Sequence, residues 1–140
     1  MNKEFKDLTK NSQYLLTQML KKYHLQIKYG KAKHQAIYIN RTAWDTKKDF
    51  MSSYDLEDVN TFLNELQHNG FINCNYGSNV AVDITLSNKS LEWYDHRFRD
   101  NFNDFLDLAN KIKNLIPKLP NPYLINPLLL APTVLLQYYL

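Results

Sequence analysis

The sequence predicts an α+β domain built as helix, strand, short helix, helix and β-hairpin, followed by a long C-terminal helix and an apolar, proline-rich tail. Three observations lead there. Between Asp55 and Leu86 the apolar repeat switches from about 3.6 residues to 2 across Gly70. From Leu91 to Ile116 apolar residues recur at steps of three and four. All five prolines lie in residues 117–140, where the composition changes abruptly.

Residues 1–10 are polar and are expected to be a loosely held N-terminus. Asn11 or Ser12 can cap a helix through Tyr23, with Leu15, Leu16, Met19, Leu20 and Tyr23 on its apolar side. Gln35–Asn40 alternates as a short strand with Ile37 and Ile39 on one face. Thr42, with Asp45 three residues on, forms a cap for a short helix through Trp44, Lys47, Lys48, Phe50 and Met51, which Ser52 and Ser53 end.

The central helix places Leu56, Val59, Phe62, Leu63 and Leu66 on one stripe. Asp55 is its expected cap, with Tyr54 packing on Val59 as a staple. Gly70 can take the left-handed conformation just past the last turn, which folds Phe71 back onto Leu66. Ile72, Cys74 and Tyr76 then share one strand face, Tyr76–Asn79 turns, and Val80, Val82, Ile84 and Leu86 alternate with outward Ala81, Asp83 and Thr85.

This order, with Gly70-Phe71-Ile72 after the helix and Val82-Asp83-Ile84-Thr85-Leu86-Ser87-Asn88-Lys89 closing the hairpin, resembles the winged helix-turn-helix superfamily across residues 11–97. The resemblance makes residues 11–87 the winged-helix domain and residues 76–80 its wing. A narrower likeness is to the N-terminal region of the DNA-cutting subunit of Wadjet-type plasmid-defence systems. It rests on Leu15-Leu16, Leu20 and Tyr23, on Leu66 with Gly70-Phe71-Ile72, and on Leu91, Tyr94 and Arg97. That family's nuclease domain has no counterpart in this sequence, so no catalytic residue carries over.

Residues 88–116 read as one helix about 40 Å long, striped by Leu91, Tyr94, Phe98, Phe102, Phe105, Ala109, Ile112 and Ile116. The stripe outlasts any one partner helix in the sequence. This favours a homodimer through Phe98, Phe102, Phe105, Ala109, Ile112 and Ile116 over folding back on the first helix. Residues 119–140 carry no charged side chain. Three roles stay open for them: covering the long helix, docking a protein partner, or anchoring to a membrane as a short tail interrupted by Pro127 and Pro132.

The chemistry is as informative by what it lacks. Phosphate-cradling, zinc-protease and serine-hydrolase motifs do not occur, and three glycines leave little for a phosphate loop. The four histidines show no ligand spacing with each other, with Cys74 or with carboxylates. A non-enzyme without cofactor or metal is therefore expected. One cysteine cannot form an internal disulfide, and Met1–Lys10 has no apolar run of a signal peptide, so the expected compartment is the cytoplasm.

Net charge is +3, distributed as +7 over residues 1–50, −5 over 51–100 and +1 over 101–140. Lysine suits backbone phosphate, so Lys21, Lys22, Lys28, Lys31, Lys33, Arg41, Lys47 and Lys48 are candidate DNA contacts. Those from Lys21 to Lys33 can equally be a solvated helix end and loop. Asn60, Asn64 and Gln67 on the central helix can pair with adenine edges. Glu57, Asp58 and Glu65 on that helix oppose phosphate, and it has no Lys or Arg. Two functions follow: a small DNA-binding regulator or accessory of a mobile element or defence system, or a module docking a protein or membrane partner through its acidic helix and apolar tail.

Overall fold

The computed structural model describes residues 2–117. The expectations for residues 118–140, including their membrane or partner contact, lie outside the described residues. Within them the fold is α+β, with six α-helices and one three-stranded antiparallel sheet.

The N-terminal residues are anchored rather than loosely held. Phe5–Asp7 forms a 3-10 turn, and Phe5 and Leu8 are buried. The Phe5 ring stacks on Trp93 at 4.1 Å, and the Gln13 side-chain amide donates to the Phe5 and Leu8 carbonyls. Two apolar side chains spaced by three help hold a segment whose other described side chains are polar.

Helix α1 (Lys10–Lys28) is the spine. Its cap is Thr9, whose hydroxyl accepts the Ser12 N–H, not Asn11 or Ser12. It also runs past Tyr23 to Lys28, stopping where Gly30 adopts φ +96°. The Gly30 N–H reaches the Ile27 carbonyl and the Lys31 N–H the Gln26 carbonyl, the paired bonds of a glycine-terminated helix. Lys21, Lys22 and Lys28 are thus helical. Leu15, Leu16, Met19 and Leu20 are fully buried.

A single turn, α2 (Lys33–Ala36), displaces the strand expected at Gln35–Asn40, and β1 runs Tyr38–Thr42. Helix α3 (Ala43–Phe50) is capped by Thr42 accepting from the Asp45 N–H at 3.2 Å, as the spacing implies. Helix α4 (Leu56–His68) buries Val59, Leu63 and Leu66. Asp55 stands at its N-terminus with extended backbone, but its side chain makes no capping bond. Tyr54 is buried, meets Phe62 edge-on and donates to Asn11 Oδ1 at 2.6 Å, tying the start of α4 to α1. Gly70 takes φ +81°, with its own N–H on the Gln67 carbonyl and the Phe71 N–H on the Leu66 carbonyl at 2.9 Å.

Strands β2 (Ile72–Gly77) and β3 (Val80–Leu86) form the hairpin, and the sheet order is β1-β3-β2. Ser78 and Asn79 both have positive φ, which makes a two-residue turn matched to strand twist. The expected alternation of β3 breaks at Asp83, where φ is +53° and the pairing with β2 slips by one residue. That bulge resets the phase: Ala81, Ile84 and Leu86 are buried, so Ala81 does not point outward.

The single long helix is instead two, α5 (Asn88–Phe98) and α6 (Phe102–Asn114). Asn101 starts α6 by accepting the Asp104 N–H at 3.1 Å and donating to its carboxylate at 2.8 Å. The turn sets Tyr94, Phe98, Phe102 and Phe105 into one aromatic cluster and returns α6 along α1. Phe105, Ala109, Ile112 and Ile116 are buried within the chain, and Phe98 and Phe102 pack partly buried against the same core. The stripe read as a dimer seam is therefore covered by the protein's own α1.

Candidate nucleic-acid interface

The face of α4 opposite its buried stripe exposes Glu57, Thr61, Asn64, Gln67 and His68. The hairpin leans over part of this face. Asn60 Oδ1 accepts the Ala81 N–H at 3.4 Å, and the Tyr76 hydroxyl bonds Asn64 Oδ1. Both asparagines thus hold the hairpin through their carbonyl oxygens, Asn60 half-buried and Asn64 exposed. Burial pushes the Tyr76 phenol up to about 12, so it remains a donor. Gln67 and His68 are exposed.

The acidic residues of α4 are not equivalent. Glu65 turns onto the start of α1, where one carboxylate oxygen accepts the Thr9 N–H at 2.8 Å and the other the hydroxyls of Thr9 at 3.0 Å and Ser12 at 3.1 Å. A carboxylate at a helix N-terminus also meets the positive end of the helix dipole. Glu57 and Asp58 stay in the first turn of α4, away from Gln67 and His68. The second half of the face therefore presents amides and an imidazole.

Residues 2–4 cross the end of α4. The Lys3 N–H donates to Asn69 Oδ1 at 2.8 Å, while Lys89 Nζ donates to the carbonyls of Lys3 at 2.9 Å and Asn69 at 2.8 Å. This strap, α4 and Tyr76 enclose an open depression lined by Lys3, Asn64, Glu65, Gln67, His68, Asn69 and Tyr76.

The candidate basic residues do not form one patch. Lys22 Nζ donates to the Ile39 carbonyl at 2.8 Å; burial lowers its pKa, Asp49 and Asp45 oppose that shift, and Lys31 adds to it. Lys47 Nζ donates to the Ser52 carbonyl at 3.3 Å. Lys21 is half-buried. Lys28, Lys31, Lys33, Arg41 and Lys48 are exposed. Lys33 precedes β1, whose first residue, Tyr38, pairs with Thr85, whereas the hairpin turn lies beyond Val80. Five strand residues separate those ends by about 17 Å. The lysine loop and the hairpin tip thus sit at opposite ends of the sheet.

Three features escaped the sequence. Lys3 lay in a segment expected to be loose. Trp44 lies on the short helix α3 and is 59% exposed, which its place in the sequence does not reveal. Tyr38, also exposed, donates to Asp83 Oδ1 at 2.8 Å, and that bond raises its pKa. Cys74 is half-buried, and burial pushes its thiol up, away from a reactive thiolate.

Among the described residues no three His, Cys, Asp or Glu side chains group to hold a metal ion, and no helix is long and apolar enough to cross a membrane. Comparison of the chain with family models, curated proteins and solved structures finds no match in any of the three.

Proposed function

We propose that this chain is a winged-helix protein that binds duplex DNA, with the second half of α4 laid against base edges and the hairpin as its wing. The observation that carries the reading is the inward turn of Glu65 onto Thr9 and Ser12. It engages the carboxylate of the acid nearest Asn64, Gln67 and His68 in bonds to the start of α1. The element order and the β1-β3-β2 sheet support the same assignment. Asn64 and Gln67 then offer amides to adenine. Arg41 and Lys48, both exposed, supply phosphate contacts, as do Lys28, Lys31 and Lys33 at the far end of the sheet. Roles in regulation, in a mobile element or in plasmid defence are consistent with such a domain.

The test is fluorescence anisotropy on a random 20-bp duplex. R41E/K48E and K28E/K31E/K33E should each weaken binding at least tenfold. Unchanged affinity in both variants would contradict the reading.

Trp44 supports a second reading, a protein-docking module. An exposed Trp close in sequence to an exposed Arg is the composition of an interface anchor. Under that reading duplex affinity is absent even at low salt, and Trp44→Ala abolishes partner binding.

A further inference from the structure

Helix α4 has no Lys or Arg of its own, and phosphate contacts beside a reading helix fix its register on the duplex. The strap at residues 2–4 delivers one. Backbone atoms do the anchoring: the Lys3 N–H is fixed to Asn69 and its carbonyl to the Lys89 ammonium. Lys89 is in turn committed to two carbonyls and the Phe71 ring face at 4.3 Å, which removes it as a phosphate ligand. Phe5, stacked on Trp93, and buried Leu8 hold the strap from its other side. The exposed Lys3 side chain lines the depression with Asn64, Gln67, His68 and Tyr76. The remaining acid in that lining, Glu65, has its carboxylate taken by Thr9 and Ser12.

We infer that Lys3 is a phosphate-binding residue, and that the depression seats one backbone phosphate of a DNA strand whose adjoining bases meet Asn64 and Gln67. The inference rests on the DNA-binding reading and deepens it by adding a contact contributed by a segment outside the 11–87 domain. Lys3, Gln67 and His68 bring side-chain donors to that depression, beside the bonded pair Tyr76 and Asn64. Lys6, in the 3-10 turn that follows the strap, lines a different groove with Trp93 and Leu108 and so faces away from this surface.

The test is anisotropy on the random 20-bp duplex from 50 to 200 mM salt with the full chain, comparing Lys3→Glu, Lys3→Arg, Lys6→Glu and Gln67→Ala. Lys3→Glu should lower affinity several-fold and shallow the log–log salt slope by about 1. Lys3→Arg should keep both, and Lys6→Glu should match the unsubstituted protein. The strap survives these changes because its bonds use the Lys3 backbone; an unaltered circular dichroism melt verifies this. If Lys3→Glu leaves affinity and slope unchanged while Gln67→Ala weakens binding, the Lys3 assignment is overturned and the DNA reading stands. If the unsubstituted protein shows no salt-dependent duplex binding, both fall.

Discussion

Glu65 on α4 grips Thr9 at the start of α1 through both the backbone N–H, at 2.8 Å, and the hydroxyl, at 3.0 Å. One side chain thus braces the capping residue of α1, joins two helices and engages its negative charge at the positive end of α1. Glu65→Gln should reduce stability by about 1–3 kcal/mol, the cost of weakening charge-assisted bonds. Duplex affinity of the folded variant should not fall, because the carboxylate faces α1. Urea titration and anisotropy on the same variant check both halves.

Gly70 and Gly30 stop α4 and α1 with φ of +81° and +96°. A Cβ at Gly30 would meet open space, and one at Gly70 would come no closer than 3.4 Å to Asn2, so backbone strain decides the cost. Gly70→Ala and Gly30→Ala should each lose about 1–2 kcal/mol. Thermal melts of the two variants should show similar shifts.

His24 stacks on Phe102 at 3.8 Å with an interplanar angle of 4°, and its Nδ1 lies 2.7 Å from the Tyr94 hydroxyl. Burial and the nearby Lys28 lower its pKa from the ordinary value of 6.5. Burial pushes Tyr94 up to about 12, so its O–H stays available to donate. A lowered folded pKa means the unfolded chain takes the proton more readily. The contribution of neutral His24 is complete above about pH 6.5 and is lost as pH falls from there through the folded pKa. Unfolding between pH 7.5 and 5 should show stability falling with pH, and His24→Phe should flatten that dependence. An unaltered slope would show that His24 is not the group responsible.

Phe105 is fully buried among Tyr94, Phe98 and Phe102. Phe105→Ala should cost about 3–5 kcal/mol. Because the stripe is covered within one chain, melting of the unsubstituted protein should not depend on concentration through this surface. A seam between copies would make it do so.

What the sequence reveals depends on how local the chemistry is. The Thr42 cap and the Gly70 stop are written within five residues, so spacing alone finds them. The break between α5 and α6 carries neither Pro nor Gly, and the apolar stripe continues in phase across Arg99–Asn101. The available signal was Asn101 followed by Asp104, the same pattern as Thr42 and Asp45. The bulge at Asp83 shows in the sequence only as a charge interrupting an apolar strand, which outward alternation explains equally well. The site was less legible than the fold. Glu65 and Thr9 are 56 residues apart, so nothing near Glu65 shows that it turns inward. Lys22 likewise counts as a surface cation until β1 places the Ile39 carbonyl beside it.

The most direct test of the DNA-binding claim is the affinity of the full chain for random duplex between 50 and 200 mM salt. Binding should be measurable at the lower salt and fall by at least tenfold at the higher. Affinity that is absent at 50 mM, or flat across the range, would contradict it.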